Sequence, residues 1–127
     1  MKNNNKKILI VEDDKFLAKM LSRMLTDSSY EVFLASSGQE AIDKVESGNV
    51  LDLIILDIML PDLDGFEVLK EIRENNKTKK VPVIIMSNLG QPEDIKHGKD
   101  LGASDHLIKS DFSLDEVAKK IKFFLKK

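Results

Sequence analysis

Four consecutive apolar residues, Leu53–Leu56, run directly into the carboxylate of Asp57. An unbroken apolar run of this length is typical of a strand buried on both faces, as in parallel sheets that are covered by helices. A charged side chain at the end of such a strand needs a partner or a metal ion, because burying an unpaired charge is costly. Open α/β sheets also bind their ligands beyond the carboxyl ends of the strands. This run therefore predicts an α/β fold and a site at Asp57.

Short apolar runs alternate five times with stretches of helical periodicity. Apolar residues recur on one helical stripe most clearly in residues 16–25 and 114–125. Five β-α units with short connections require right-handed crossovers and helices on both faces of a parallel sheet. The sequence therefore predicts one (βα)5 domain, a doubly wound sheet whose five strands are Ile8–Val11, Val32–Ala35, Leu51–Leu56, Val83–Met86 and His106–Ile108.

Helix beginnings carry local signals of their own. A capping residue followed three positions later by glutamate satisfies two of the free N–H groups at a helix start. Proline is favoured in the first turn, where its missing N–H costs nothing. We expect helices to begin at these signals: Ser37 with Glu40, Asp64 with Glu67, Ser113 with Glu116, and Pro92.

Composition excludes several classes of protein. The 127 residues contain no cysteine, which removes disulfides, thiolate metal sites and thiol nucleophiles, and the net charge is −2. No apolar stretch approaches the ~20 residues of a membrane span, and the one at Ile8–Val11 is too short for a signal peptide. We therefore expect a soluble cytoplasmic chain. The lysines of the last helical stretch are interpreted as its solvated face, with no nucleic-acid binding.

Chemically active side chains follow four of the five predicted strands. Parallel strands place them at one edge of the sheet: Glu12 and Asp13 after the first strand, Asp57 after the third, Ser87 after the fourth and Lys109 after the fifth. Each residue alone is an ordinary loop or capping residue. Together, oxygen ligands without His or Cys suit Mg²⁺, and a carboxylate, a hydroxyl and an ammonium beside it suit phosphoryl transfer.

The chain resembles the receiver domains of bacterial two-component response regulators over essentially its whole length. The resemblance is carried by four motifs, at residues 8–14, 57–65 and 82–87, and at Gly102-Ala103 followed by Lys109. It implies a flavodoxin-like fold with strand order 2-1-3-4-5. It also implies a single receiver domain at residues 7–127, after a disordered tail at residues 1–6.

The resemblance implies a role for each residue at this edge. Asp57 would accept a phosphoryl group, and Mg²⁺ would be held by Asp57, by Asp13, by Glu12 through water, and by the backbone carbonyl of Met59. Ser87 would donate its hydroxyl to the phosphoryl group and Lys109 would pair with one of its oxygens. Pro61 and Gly65 would shape the loop after Asp57, with Gly65 supplying unusual backbone angles.

The implied function is that of a signalling switch, not of an enzyme with a separate substrate. A histidine kinase or phosphotransfer protein would supply the phosphoryl group, docking near the first helix and the loops of the site. Phosphorylation would then re-pack the face formed by the fourth helix, fifth strand and fifth helix, which a downstream effector protein or domain would recognise. Dimerisation through this face on phosphorylation is left open.

The chain departs from the family pattern at two positions. Ser110 follows Lys109 where most receivers have proline, and we predict a trans Lys109–Ser110 bond because a non-proline cis bond costs about 2.5–4 kcal/mol. His106 stands where the family often carries a Tyr or Phe that follows the switch hydroxyl; a switching role and a plain surface role are both open. Separately, the apolar side chains of Met59 and Leu89 predict slow loss of the phosphoryl group, because they flank the path of an attacking water.

Three other functions fit the residues less well. An aspartyl phosphohydrolase would need a second acid-base carboxylate and an Asp-x-Asp-Gly-Thr motif, which the segment after Asp57 lacks. A flavin-binding protein would need a Ser/Thr/Gly-rich loop after the first strand, where Glu12, Asp13 and Asp14 would repel phosphate. A docking module without chemistry is the stronger alternative, although such domains tend to lose the residues that are present here.

Overall fold

The computed structural model describes residues 6–48 and 50–126, in which five strands alternate with five helices. The strands are β1 Lys7–Val11, β2 Glu31–Ala35, β3 Leu53–Leu56, β4 Val83–Ser87 and β5 Asp105–Ile108. The helices are α1 Lys15–Asp27, α2 Gly38–Glu46, α3 Gly65–Glu74, α4 Pro92–Asp100 and α5 Leu114–Leu125. The (βα)5 alternation is confirmed. Residues 1–5 of the expected tail lie outside the described residues.

All five strands are parallel and lie in the order β2-β1-β3-β4-β5. The register is continuous across the sheet: Ile10 pairs with Leu34 on one side and with Ile55 on the other, and Ile55 pairs with Ile84. The predicted doubly wound, flavodoxin-like topology is therefore confirmed. Since the strands are parallel, their carboxyl ends form one edge of the molecule.

Two hydrophobic layers cover the two faces of the sheet. Alternate residues of each strand point to opposite faces, so neighbours such as Ile84 and Ile85 enter different layers. One layer contains buried residues of α1 and α5, namely Leu21, Leu25, Val117 and Ile121. The other contains buried residues of α2 and α3, namely Ala41, Val45, Val68, Leu69 and Ile72. The central strands β1, β3 and β4 are covered on both faces, which explains their apolar composition.

Strand β3 begins at Leu53, two residues later than predicted. Asp52 precedes it and is tied to Lys7 through two hydrogen bonds. The Lys7 N–H donates to the Asp52 carboxylate at 2.7 Å, and the Asp52 N–H donates to the Lys7 carbonyl at 2.7 Å. A polar side chain thus leads into the strand at the edge opposite Asp57.

The expected capping box is complete at only one of the three predicted positions. The Ser113 hydroxyl accepts the Glu116 N–H at 3.2 Å, and the Glu116 carboxylate accepts the Ser113 N–H at 3.3 Å. At α2, Ser37 accepts the Glu40 N–H, but the Glu40 carboxylate bonds to Ser36 instead. The hydrogen bonds that the Ser36 N–H and hydroxyl donate to the Glu40 carboxylate lower its pKa. The helix begins where predicted even though the pairing is shifted by one residue.

Candidate functional site

Asp57 lies directly after β3 and is 3% exposed. Its backbone N–H continues the sheet by donating to the Val11 carbonyl at 3.0 Å. Its two carboxylate oxygens have different partners, since Oδ1 accepts the Met59 N–H at 3.1 Å and Oδ2 accepts Lys109 Nζ at 2.8 Å. The buried charge predicted from the sequence is therefore compensated by a backbone N–H and an ammonium group.

Lys109 joins the two buried carboxylates of the site. Its Nζ lies 2.8 Å from Asp57 Oδ2 and 2.9 Å from Glu12 Oε1, so one ammonium bridges the ends of β1 and β3 from a position just after β5. Burial alone would lower the pKa of Lys109, but the hydrogen bonds to Asp57 and Glu12 outweigh burial and hold the pKa above its ordinary value. The ammonium is therefore the stable form of Lys109 beside this carboxylate pair.

Glu12 is 4% exposed and lies at the end of β1. Burial raises its pKa, against the opposing effects of the Asp14 N–H, which donates to Oε2 at 3.0 Å, and of Lys109. Asp14 in turn caps α1, because its carboxylate accepts the N–H groups of Phe16 and Leu17. Of the three acidic residues after β1, Glu12 therefore belongs to the site, whereas Asp14 caps the start of α1.

Glu12, Asp13 and Asp57 form a cluster in which one carboxylate oxygen from each residue lies within 4.8 Å of the other two. Two ligands of one Mg²⁺ ion, each at about 2.1 Å, are separated by at most about 4.2 Å, which is close to the spacing of the cluster. Asp13 is exposed whereas the other two are buried, so the cluster opens to solvent on one side. The donor set and its spacing fit a hard divalent cation, and Lys109 alone does not neutralise three carboxylates.

Ser87 ends β4 and is fully buried. Its hydroxyl oxygen accepts the Leu89 N–H at 3.2 Å, and its backbone carbonyl accepts the Lys109 N–H at 2.9 Å. The residue is thus placed at the predicted edge of the sheet and is bonded to the segment that carries Lys109. Its hydroxyl is engaged with its own loop.

The loop after Asp57 returns on itself before α3. Met59 and Asp64 form an antiparallel bridge, and the Gly65 N–H donates to the Ile58 carbonyl at 2.8 Å. Asp64 caps α3 by accepting the N–H of Phe66 at 2.9 Å. The loop therefore places the start of α3 against Ile58, the residue after Asp57, which is the predicted phosphoryl acceptor.

Gly65 is needed in this loop for a reason other than the one predicted. The positive-φ glycines among the described residues are Gly48 and Gly102, so the expectation of unusual backbone angles at Gly65 is wrong. A Cβ at Gly65 would lie 2.4 Å from Ile58 Cα and 2.7 Å from the Asp57 carbonyl oxygen. Both neighbours are backbone atoms that cannot move aside. Close approach of two backbone segments is what requires glycine here.

Asp62 is a residue of the site that sequence reasoning missed. Its carboxylate accepts the N–H groups of Gly38 at 2.8 Å and Gln39 at 3.0 Å, which belong to the first turn of α2. These bonds lower the pKa of Asp62. They tie the loop after Asp57 to a helix more than 20 residues earlier in the chain. The only sequence signal was an acidic residue between proline and glycine, which fits any turn.

The two departures from the family pattern have distinct outcomes. The Lys109–Ser110 bond is trans as predicted, and the described part of the chain contains no cis peptide bond. His106 is partly buried, and its Nε2 lies 2.9 Å from the Leu89 carbonyl oxygen. His106 and Ser87 are therefore hydrogen-bonded to the same residue, Leu89, and both roles considered for His106 stay predictions.

A family model described as "Response regulator receiver domain" matches residues 8–122. The chain belongs to this family. Among curated relatives of the receiver domain, the transcriptional regulatory protein CiaR of Streptococcus pneumoniae is 44% identical over 121 residues, which are 95% of this chain and 52% of that protein. The alkaline phosphatase synthesis transcriptional regulatory protein PhoP of Bacillus subtilis is 39% identical over 123 residues, 97% of this chain and 50% of that protein. The chain spans about half the length of both.

Solved structures match the receiver domain over nearly its whole length. A two-component response regulator from Clostridium difficile has a TM-score of 0.89 and 32% identity, covering 97% of this chain and 98% of that one. The receiver domain of a sensor histidine kinase from Pseudomonas aeruginosa, with a magnesium ion in its active-site cleft, has a TM-score of 0.86 and 28% identity, covering 97% and 99%. Receiver domains of response regulators are signalling switches, so the predicted class of function is confirmed. Within the described residues, no helix is long and apolar enough to cross a bilayer.

Proposed function

We propose that Asp57 accepts a phosphoryl group from a phosphohistidine on a histidine kinase or phosphotransfer protein. The observation that supports this assignment is the ammonium of Lys109, held within 3 Å of both Asp57 and Glu12 in a buried setting. A carboxylate in contact with a fixed cation can take on further negative charge at low electrostatic cost. No other aspartate among the described residues is as deeply buried as Asp57.

In the proposed step, a carboxylate oxygen of Asp57 forms the new bond to phosphorus while the phosphorus–nitrogen bond of the phosphohistidine breaks. The bond's electron pair leaves with the imidazole, which then binds a proton. Lys109 stays paired with the growing negative charge, and the hydroxyl of Ser87 turns from Leu89 to donate to a phosphoryl oxygen. The phosphoryl oxygens carry a charge of about −1.5 to −2 in place of the single charge that the Asp57 carboxylate loses in the new bond, and this charge is the driving force for that movement.

We propose Mg²⁺ as the cation of the carboxylate cluster. Asp13 and Asp57 would bind it directly, Glu12 through water, and Met59 through its backbone carbonyl. When bound, Mg²⁺ would offset the charge of the phosphoryl oxygens as they approach the carboxylates. The exposed side of the cluster at Asp13 gives the ion and the donor access from solvent.

The surface around the site suits a docking partner. Phe16, in the first turn of α1, is 72% exposed, and Met59 is 58% exposed. We propose that the donor protein covers these apolar side chains and that an effector recognises the face formed by α4, β5 and α5. Residues 7–127 would form a single receiver unit.

Incubation with Mg²⁺ and acetyl phosphate tests the proposal by mass spectrometry of the intact protein. We expect a mass gain of one phosphoryl group that is abolished in Asp57→Asn and retained in Asp27→Asn, which changes an exposed aspartate at the end of α1. Addition of a chelator in excess over Mg²⁺ should also prevent the gain. An unmodified wild-type protein, shown to be folded by circular dichroism, would favour a docking module without chemistry.

A further inference from the structure

A groove lies at the amino ends of the three central strands, at the edge of the sheet opposite Asp57. Lys6 stands directly before β1, Asp52 directly before β3 and Pro82 directly before β4. All three line the groove together with the end of α5, residues 123–126. The groove encloses about 860 Å³, a volume in the range of established ligand sites. We call it the amino-edge groove.

The apolar part of the amino-edge groove carries an aromatic side chain that the core does not use. Val117 and Ile121 bury the inner face of α5, whereas Phe123 is 68% exposed. The Phe123 ring packs edge-to-face on Phe124, with ring centroids 5.1 Å apart. The apolar residues that line the groove are Pro82, Phe123, Phe124 and Leu125. An exposed aromatic ring in a concave apolar surface is typical of an anchor point for a binding partner.

The charged side chains that line the groove are mostly positive. Lys6, Lys80 and Lys126 line it, and within the described residues none of the three forms an ion pair. Asp52 is the one acid among the described residues of the lining, and its carboxylate already accepts the Lys7 N–H at 2.7 Å. The groove therefore has a surplus of uncompensated positive charge beside its apolar surface.

This positive surface extends beyond the groove itself. An adjoining cavity of about 420 Å³ is lined by Lys77 and Lys79 and shares Asp52, Lys80 and Pro82 with the groove. Neither Lys77 nor Lys79 has an ion-pair partner in the part of the chain that the structure describes. The two cavities therefore form one elongated concave surface with lysines along its length.

We propose that the amino-edge groove binds an acidic linear segment of a partner protein. An apolar side chain of the segment packs on Phe123, and its carboxylates pair with the lysines of the rim. Charge complementarity selects an anionic partner, and the apolar lining selects one that also carries apolar side chains. A bilayer surface is too flat to fill a concave groove. The edge-to-face rings offer no parallel faces on which successive bases of a nucleic acid would stack.

The first test measures binding of short synthetic peptides by fluorescence anisotropy, with unphosphorylated protein in the absence of Mg²⁺. The labelled peptides consist of glutamate, aspartate and glycine and carry two leucines or two phenylalanines at varied spacings. We expect saturable binding that weakens with added salt and is lost when lysines replace the acidic residues. Replacing the apolar residues by serine should weaken binding about tenfold. Failure of every peptide in the set to bind overturns the proposal.

The second test locates the binding site with matched variants whose folding is checked by circular dichroism. We expect Phe123→Ala to weaken peptide binding about tenfold, while Phe16→Ala, which truncates a similarly exposed ring at the other edge of the sheet, leaves it unchanged. Lys80→Gln should weaken binding about threefold, and Lys96→Gln in α4 should not. An unchanged affinity in Phe123→Ala, or equal losses in the two phenylalanine variants, overturns the proposal.

The last test separates the acidic segment from other anionic partners and from the chemistry of Asp57. A single-stranded RNA oligonucleotide and vesicles of anionic phospholipid are added as competitors to the bound peptide. We expect neither to displace it at equal concentrations of negative charge, and displacement by either one overturns the proposal. Asp57→Asn should bind the peptide as the wild type does, so failure of the proposed phosphoryl transfer would leave this binding intact.

Discussion

The carboxylate of Asp62 accepts the backbone N–H of Gly38 at 2.8 Å, so the loop that follows Asp57 caps the helix that follows β2. The contact is close on the apolar side as well, since a Cβ at Gly38 would lie 2.8 Å from Cβ of Leu63. A charged acceptor at a helix N-terminus is stabilised by the free N–H groups and by the helix dipole. Two loops at the carboxyl edge of the sheet are thereby fixed relative to one another.

Replacing Asp62 tests this connection. We expect Asp62→Ala to lower the midpoint of urea unfolding, because two N–H groups of α2 lose their acceptor. Asp62→Asn keeps one oxygen acceptor without the charge, so its midpoint of urea unfolding should lie between those of the wild type and Asp62→Ala. Equal midpoints for the wild type and Asp62→Ala at neutral pH would show that water replaces the carboxylate without loss.

The same residue gives a stability that depends on pH. The pKa of Asp62 is lowered by the N–H groups of Gln39 and Gly38. A carboxylate with a lowered folded-state pKa contributes stability above its unfolded pKa and loses it as pH falls through the folded value. The difference in unfolding midpoint between the wild type and Asp62→Asn should therefore be constant at neutral pH and shrink on acidification below the ordinary aspartate range. A difference that grows on acidification would contradict the assignment.

Gly65→Ala tests the close approach of the loop to α3. The new methyl group would meet Ile58 Cα and the Asp57 carbonyl oxygen, and both are backbone atoms. We expect a loss of more than about 2 kcal/mol in the free energy of unfolding, with lower phosphorylation because Asp57 itself shifts. In the control, Gly90→Ala, the nearest atom is the terminal methyl of Ile108, which can rotate away. Similar losses in the two variants would argue against backbone crowding as the cause.

Sequence reasoning succeeded where the signal was local or set by topology. The apolar runs gave the strands, and parallel strands brought Asp57, Glu12 and Lys109 together without any knowledge of distances. It failed where a bond joins distant segments through common residue types. The Asp62–Gly38 contact spans 24 residues, and His106 reaches Leu89 across 17. No periodic pattern in the sequence marks such contacts, so they become visible only in the folded chain.

Lys109→Met removes the cation between the buried carboxylates. We expect a loss of about 3 kcal/mol in the free energy of unfolding at neutral pH in the absence of divalent ions, as is usual when one partner of a buried pair is deleted. The matched control is Lys96→Met, which breaks the exposed pair with Asp100 at 2.9 Å and should cost under about 0.5 kcal/mol. Comparable losses in the free energy of unfolding for Lys109→Met and Lys96→Met would mean that water screens the ion pairs of Lys109 as strongly as the exposed pair of Lys96.

The pH profile of Lys109→Met gives a separate check. The folded pKa of Lys109 is raised, so its contribution is complete below the ordinary lysine value and disappears as pH rises through the folded value. The stability gap between the wild type and Lys109→Met should therefore narrow in alkaline solution. It should also narrow in acid, because burial raises the pKa of Glu12 and the protonated carboxyl group no longer needs a cation.

We expect the side chain of Met59 to limit the access of water to the phosphorylated site. Its side chain is 58% exposed while its N–H donates to Asp57, so an apolar group stands in solvent next to the acceptor. We expect Met59→Ala to lose the phosphoryl group several times faster than the wild type, because a smaller side chain admits an in-line water. The rate is followed by mass spectrometry after removal of acetyl phosphate. Phe16→Ala serves as the control, because Phe16 is also an exposed apolar side chain. An unchanged rate in Met59→Ala would place the barrier to hydrolysis elsewhere, in the bonds that Lys109 and Ser87 make to the phosphoryl oxygens.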